Sequence, residues 1–444
     1  MKLTESILGP KKNLKGGARL PHRKGTAECQ SVEMPTPKTV SILMSQHIGA
    51  PCEPTVKKGD TVYVGTVVGN SDAYVSAPIH SSVSGVVTEI KQVRLASGAT
   101  TNAVVIESDG LDTVDPAIKP IEINTKQDLI NAAKDCGLVG LGGAGFPAHV
   151  KLNIKDGAEY DTLIINGAEC EPYITSDYRE CMENYDDVMN GIYLIKEVLG
   201  FKHVVIGVED NKPKAIKKLY DIAADKRDAD NSVRLMKLKS SYPQGAEKVL
   251  IYTTTGRVLK MGQLPIDVGC VVMNITSVGT LYRYIKTGMP LVKKRLTVDG
   301  DAIKEPKNVI VPIGTSVGEV IDFCGGFSEE PEKVLFGGPM MGIAINNLSM
   351  AVTKHNNAIL AFKPHYEQTT ACIRCGRCVG ACPMNLAPAA VETALKLDNV
   401  QKLEALNVNY CMECGSCAFV CPAKRPLTQT MRLAKAEVKR RGSK

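Results

Sequence analysis

Cysteine is set out twice in one pattern near the C-terminus: Cys372, Cys375, Cys378 and Cys382 followed by Pro383, then Cys411, Cys414, Cys417 and Cys421 followed by Pro422. Both runs read C-x2-C-x2-C-x3-C-P, the spacing that wraps a four-iron four-sulfur cluster. Three thiolates at the tight spacings converge on one cube, while the fourth, past a turn and held by proline, points toward a second cube. On that rule the runs exchange ligands. The first cluster takes Cys372, Cys375, Cys378 and Cys421, and the second takes Cys411, Cys414, Cys417 and Cys382. All-cysteine zinc sites and disulfides are the competing readings. Zinc sites of that kind usually show two C-x2-C pairs separated by a longer loop, whereas here four cysteines crowd into a short run, twice.

The other seven cysteines (Cys29, Cys52, Cys136, Cys170, Cys181, Cys270, Cys324) follow no pairing pattern, which suits a reducing compartment. A length of 444 residues with 44% hydrophobic and 23% charged residues predicts a soluble chain of three to four domains with real cores. No run of eighteen apolar residues occurs, so no membrane span is expected. The opening MKLTESILGPKKNLKGG does not read as a secretory signal, and a cytoplasmic location is expected. The net charge of +7 is concentrated at the ends, in Lys11, Lys12, Lys15, Arg19, Arg23 and Lys24 and in Lys435, Lys439, Arg440, Arg441 and Lys444. Such ends are expected to be tails, lying on an acidic partner or anionic lipid, or simply solvated. With 5% aromatics and no Trp, nucleic acid is not an expected partner.

After a basic segment (1–30), residues 31–112 alternate apolar and polar positions between turn residues, as in VKKGDTVYVGTVVG and VSAPIHSSVSGVVTEI. This predicts a small β sandwich, similar to the biotinyl or lipoyl carrier fold. The tip that carries the modified lysine in such carriers reads Pro78, Ile79, His80, Ser81, with no lysine. The domain is therefore expected to be structural, and His80 a surface hairpin residue rather than a ligand.

An Asp- and Pro-rich linker leads to NTKQDLINAAKDCGLVGLGGAGFP. Gly140, Gly142 and Gly145 form G-x-G-x-x-G, a weak dinucleotide signal here because a helix, Asp128 to Cys136, precedes it where a Rossmann turn needs a strand. The bare backbone of the loop still suits close approach by an anionic or planar ligand, against a plain structural turn as the alternative. Next, a buried-type strand at Asp161 to Ile165 runs into Asn166, Glu169 and Glu171, placing polar groups at a strand's carboxyl end. Further on, Phe201 to Asp210 reads as a strand and Lys214 to Ala224 as a helix, which gives an α/β domain over 125–288.

These stretches resemble the 51 kDa flavoprotein subunit of respiratory complex I: GLGGAGFPAHVK (140–151), NGAECEP (166–172), YPQGAEKVL (242–250) and VMNITSVGTL around Asn274. The resemblance implies FMN held by Gly140, Gly142, Gly143, Gly145 and Lys151, with Asn166, Glu169, Tyr242, Gly245, Glu247, Asn274 and Thr276 lining the rest. It puts Phe146 and Glu171 beside the nicotinamide of NAD(H). The chain departs from that family at Leu141, where it has Arg, at Ala168, where it has Asp, and at Ala246, where it has Glu.

Residues 289–350 resemble the β-grasp (SLBB-like) module that follows the flavin domain in that family, closed by VLFGGPMMGI, whose methionines are expected in the core. Residues 362–444, from near Tyr366, make a helical ferredoxin-type domain, with an amphipathic helix from Leu427 to Lys439. Arg374, Arg377 and Lys424 flank the cysteines, either to raise cluster potentials or as solvated faces. This order of modules, together with the opening KGGARLPHRKGTAE, is similar to the C subunits of Rnf complexes. The resemblance implies a peripheral, cytoplasmic-side subunit of a membrane-bound ferredoxin:NAD+ oxidoreductase that exports Na+ or H+. It would relay electrons between NAD(H), FMN and two 4Fe–4S clusters, beside integral membrane subunits and a ferredoxin-type subunit, with ferredoxin as an indirect partner. A soluble cobalamin-reductase-like flavin and iron-sulfur enzyme and a non-enzymatic electron-wiring adaptor are the alternatives.

Overall fold

The computed structural model describes residues 7–223, 232–365 and 367–442. Lys444, the expected domain start at Tyr366 and the expected helix end at Ala224 lie outside them.

The carrier-like part is two small sheets face to face. One runs Thr39–Leu43, Thr100–Ser108, Gly85–Arg94, Thr61–Val62, and the other Glu53–Pro54, Val67–Asn70, Ile79–His80. Val40, Ile42, Val68, Ile79, Val87, Val104 and Ile106, the inward positions of those strands, fill the space between them. The tip does not project. His80 is 5% exposed, which corrects its expected surface position. Fully buried Lys354 reaches across from a later domain and donates to the carbonyls of Pro78 (2.6 Å) and Gly137 (2.8 Å).

The α/β part is one parallel sheet in the order Ile7–Leu8, Val233–Leu238, His203–Glu209, Thr162–Gly167, Cys270–Asn274. Its central strand, TLIING, is apolar on both faces because helices cover both sides. Thr125 and Asp128 form a capping box that starts the Lys126–Asp135 helix two residues before the expected start at Asp128.

The basic N-terminal segment is not a tail, because Ile7–Leu8 forms the edge strand of this sheet and Ala18 bridges to Tyr242. At the other end, Lys435 pairs with Glu413 and Arg441 with Asp398 on the Leu427–Gly442 helix and its neighbours.

A six-stranded mixed sheet follows, in the order Ile343–Ile345, Lys333–Phe336, Ala358–Phe362, Lys293–Asp299, Lys307–Pro312, Val32–Glu33. It extends past residue 350, the expected boundary, because AILAF is apolar enough to be an inner strand and pairs with both neighbours. Met341, 42% exposed, and half-buried Met340 lie in a turn, so they are not the core residues expected of them. The last domain is helical around Leu386, Val391, Leu403, Met431 and Ala434. Among the described residues no helix is long and apolar enough to cross a membrane.

Candidate functional site

Thr162–Gly167 is flanked by His203–Glu209 on one side and Cys270–Asn274 on the other, so the strand order reverses beside it, the arrangement that forms a ligand crevice at the carboxyl ends of α/β sheets. Asn166 and Asn274 stand opposite one another in register at that edge. Asn274 caps the Ile275–Thr287 helix, its Oδ1 accepting from the N–H groups of Thr276 (3.0 Å) and Ser277 (3.2 Å). Its amide donates to Asp177 Oδ2 at 2.8 Å, and Thr276 Oγ1 donates to Asp177 Oδ1 at 2.6 Å. Asn166 donates to the Gly245 carbonyl at 2.8 Å, and the Gly245 N–H reaches Cys170 Sγ at 3.3 Å. Lys151 donates to Glu247 (3.1 Å) and to the Val272 carbonyl (3.2 Å).

The glycine loop lies over this crevice. The Gly140 N–H donates to the Phe146 carbonyl at 2.9 Å, closing a turn in which Gly142 and Gly143 are exposed, Gly145 has φ +72° and Phe146 is half-buried. A Cβ on Gly142 would lie 2.4 Å from Asn274 Nδ2, so only bare backbone fits there. Where the complex I subunit has a loop arginine, Leu141 is buried, but a cation arrives from elsewhere: buried Lys294 donates to the Leu141 carbonyl at 3.3 Å. Ala168 is fully buried, so packing accommodates that substitution, whereas Ala246 stands at the N-cap of the Glu247–Thr255 helix without a side-chain cap bond and nothing in the structure explains it.

Glu169, at φ +48°, points back to accept from the N–H of Asp177 at 2.6 Å, and its second oxygen is buried without a partner. Burial pushes its carboxyl up to about 7, against the pull of Lys24. Burial likewise raises Glu171 to about 7, although the N–H groups of Met340 (3.1 Å) and Met341 (2.9 Å) donate to it. A planar anionic flavin mononucleotide fits these residues: bare backbone, a lysine, strand-end amides and an unpartnered carboxyl oxygen at one crevice.

The two cysteine loops are copies in backbone as well as sequence. Positive φ recurs at Arg374 and Glu413, at Gly376 and Gly415, and at Asn385 and Lys424, three pairs with the same separation as the cysteines. The structure gathers Cys382 with Cys411, Cys414 and Cys417 around one pocket, and these four are electrostatic neighbours of one another. The N–H of Leu386 reaches Cys382 Sγ and that of Glu413 reaches Cys411 Sγ, each at 3.3 Å, donors that suit a thiolate. A four-iron cube asks for thiolates spread around a cavity, one to each iron, and this donor set fits it. Cys372 and Cys375 are exposed, Cys378 is buried, and Arg425 has both Cys372 and Cys421 beside it. Lys424 is engaged with Glu367 at 2.5 Å.

The C subunit of the Na(+)-translocating ferredoxin:NAD(+) oxidoreductase complex of Acetobacterium woodii is 44% identical over 431 residues, covering 96% of this chain and 96% of that protein. The chain belongs to the family of Rnf complex C subunits. Other members include the C subunit of the proton-translocating ferredoxin:NAD(+) oxidoreductase complex of Clostridium ljungdahlii, 42% identical over 442 residues (98% of this chain, 95% of that one). The C subunit of the ion-translocating oxidoreductase complex of Rhodobacter capsulatus is 36% identical over 430 residues (95% and 82%). Four domain families match in turn: the RnfC barrel sandwich hybrid domain over 12–111, the Nuo51 FMN-binding domain over 133–283, the SLBB domain over 295–344 and the 4Fe-4S dicluster domain over 365–422. This Rnf family member thus carries an FMN-binding domain and a two-cluster domain in one chain.

Three polar residues at this site escape motif reading. Lys24 and Lys294 stand among other basic residues and Asp177 belongs to no motif, and only the fold brings them to the crevice.

Proposed function

We propose that this chain is the electron-relay subunit of a membrane-bound, ion-translocating ferredoxin:NAD+ oxidoreductase, passing electrons between NAD(H), FMN and two 4Fe–4S clusters. The observation that carries this reading is the adjacency of the two sites: Tyr242, in the loop after Val233–Leu238, donates its hydroxyl to the carbonyl of Cys414 at 2.6 Å. A flavin supplies the exchange between two-electron hydride chemistry and one-electron cluster chemistry. Gly140, Gly142, Gly143, Gly145 and Lys151 would hold its phosphate and ring edge, and Asn166, Glu169, Gly245, Glu247, Asn274 and Thr276 would line the crevice. Cys372, Cys375, Cys378 and Cys421 would bind one cluster, and Cys411, Cys414, Cys417 and Cys382 the other.

The subunit sits at the cytoplasmic side of the membrane, beside integral membrane subunits that hold the ion path and a ferredoxin-type subunit that delivers electrons. The Lys293–Asp299 and Lys307–Pro312 hairpin with its Val317–Phe323 helix is a β-grasp module that follows the flavin domain.

The test is anaerobic reconstitution of the full chain with iron, sulfide and FMN, followed by removal of unbound ligand and addition of NADH. Stoichiometric flavin with bleaching of both flavin and cluster absorbance is expected. About eight irons without flavin and without response to NADH would instead make the chain a wiring adaptor.

A further inference from the structure

Glu171 belongs to a closed ring of contacts drawn from three domains. Its carboxylate accepts from the N–H groups of Met340 and Met341, which fixes the exposed turn between Lys333–Phe336 and Ile343–Ile345. That turn in turn presses on the cluster domain. A Cβ on Gly415 would lie 2.9 Å from the Met340 carbonyl, and Arg432 donates to the Met341 carbonyl at 3.2 Å. Gly415 follows Cys414, whose carbonyl accepts from Tyr242 Oη. Tyr242 Oη lies 3.3 Å from Glu171 Oε1, and the ring closes. Tyr242 has one proton to give, and the Cys414 carbonyl is the nearer acceptor.

Both carboxylate oxygens of Glu171 are thus engaged within the protein. A Cβ on Gly338 would meet Oε2 at 2.2 Å, so the turn also closes over it. A residue so enclosed has no free oxygen to offer a nicotinamide, the role that family resemblance gives it.

Resting on the function proposed above, we propose that Glu171 and Tyr242 are positioning residues. They hold the Cys414–Gly415 corner of the second cluster loop against the flavin crevice and thereby set electron exchange between flavin and that cluster. The step they serve moves one electron: reduced flavin is oxidised by it, the cluster is reduced by it, and no bond forms or breaks. Buried Tyr242 aims its hydroxyl dipole at the Cys414 carbonyl of the second cluster loop, and a dipole so placed would favour the added negative charge of a reduced cluster bound there.

The test uses the full chain reconstituted as above, with Tyr242→Phe, Glu171→Ala and Glu171→Gln. Iron and flavin contents are measured first, then each cluster's midpoint potential by EPR-monitored titration, then the rate at which electrons pass from reduced flavin to cluster. With Tyr242→Phe, one cluster is expected to become harder to reduce while the other keeps its potential, and flavin-to-cluster transfer is expected to slow at least tenfold. Glu171→Ala should slow the same transfer, and Glu171→Gln, whose single amide oxygen still accepts from one of the Met340 and Met341 N–H groups, should restore part of it. Full iron and flavin with unchanged potentials and unchanged transfer in all three variants would overturn the proposal. So would loss of flavin with both clusters unaltered, which would make Tyr242 a flavin-binding residue only. A wild-type chain that retains no flavin would overturn the proposed function and this inference with it, whereas variants identical to an active wild type overturn the inference alone.

Discussion

The ammonium of Lys24 donates to the main-chain carbonyl of Glu171 at 2.8 Å, joining the N-terminal segment to the loop that leaves the central strand. The same group donates to the carbonyls of Glu169 (2.9 Å) and Ile174 (2.5 Å), so one side chain gathers three acceptors of a loop whose residues Glu169 and Tyr173 both have positive φ. Burial lowers the Lys24 pKa, and the carbonyls, with Glu169 nearby, are what keep an ammonium there.

Lys24→Met keeps the length of the stem and removes the charge, leaving those acceptors without this donor. A buried polar group stripped of its partner costs about 1–3 kcal/mol, so a loss of about 2 kcal/mol is expected. Urea denaturation of the apo chain should show a lower midpoint with an unchanged slope, and flavin retention should fall with it. An unaltered midpoint would mean that the loop holds its shape without Lys24.

Gly142→Ala tests the cradle directly. Gly142 has an ordinary φ, so an alanine there meets only the steric obstacle of Asn274, whose amide nitrogen would be 2.4 Å away. Asn274 yields only by giving up the helix cap and its bond to Asp177, at a cost of about 1 kcal/mol for the cap. Flavin per chain is expected to fall at least fivefold while iron stays at wild-type content. Wild-type flavin content would remove the glycine loop from the site.

What could be read in the sequence was local, and what could not was carried by distant residues. The cysteine runs and the glycine loop are contiguous, and backbone geometry at Gly376, Gly415 and Gly145 follows from their own neighbours. The helix expected from Asp128 to Cys136 and the strand expected from Asp161 to Ile165 declare themselves by apolar spacing and an apolar run, and form at Lys126–Asp135 and Thr162–Gly167. Nothing near Lys24 says that it will be drawn into a loop some 150 positions later, and its basic neighbours make the segment look like a solvated tail. His80 misleads for a related reason. In a free carrier its position would be a hairpin tip, but here Lys354, far along the chain, ties that tip to Gly137 and buries it.

The buried His80 gives stability a pH dependence of known sign. Burial, with Lys354 nearby, lowers its pKa to about 3 from 6.5, and its Nδ1 has no partner. The unfolded chain therefore takes up a proton near pH 6.5 that the folded chain refuses. The contribution is fully present above pH 6.5 and is lost as pH falls toward 3. Between pH 6.5 and 5.5 this amounts to about 1 kcal/mol. His80→Gln should be flatter than the wild type over that interval by this amount in urea denaturation, the difference between the two chains cancelling all other titrations. Parallel curves would mean that His80 gains a proton in the folded state.

Ligand exchange between the cysteine runs makes a paired forecast. Cys382 belongs to the first run in sequence, but it shares a pocket with Cys411, Cys414 and Cys417. Cys382→Ala is therefore expected to damage the same cluster as Cys414→Ala, although the two lie in different runs. Cys421→Ala should damage the same cluster as Cys375→Ala. Each variant should lose up to four of about eight irons, and the EPR spectrum of the cluster that remains identifies the pair. If Cys382→Ala leaves the spectrum left by Cys375→Ala instead, each run binds its own cluster. The proline after the fourth cysteine would then turn that thiolate inward, and the pocket joining Cys382 to the second run would have no part in binding.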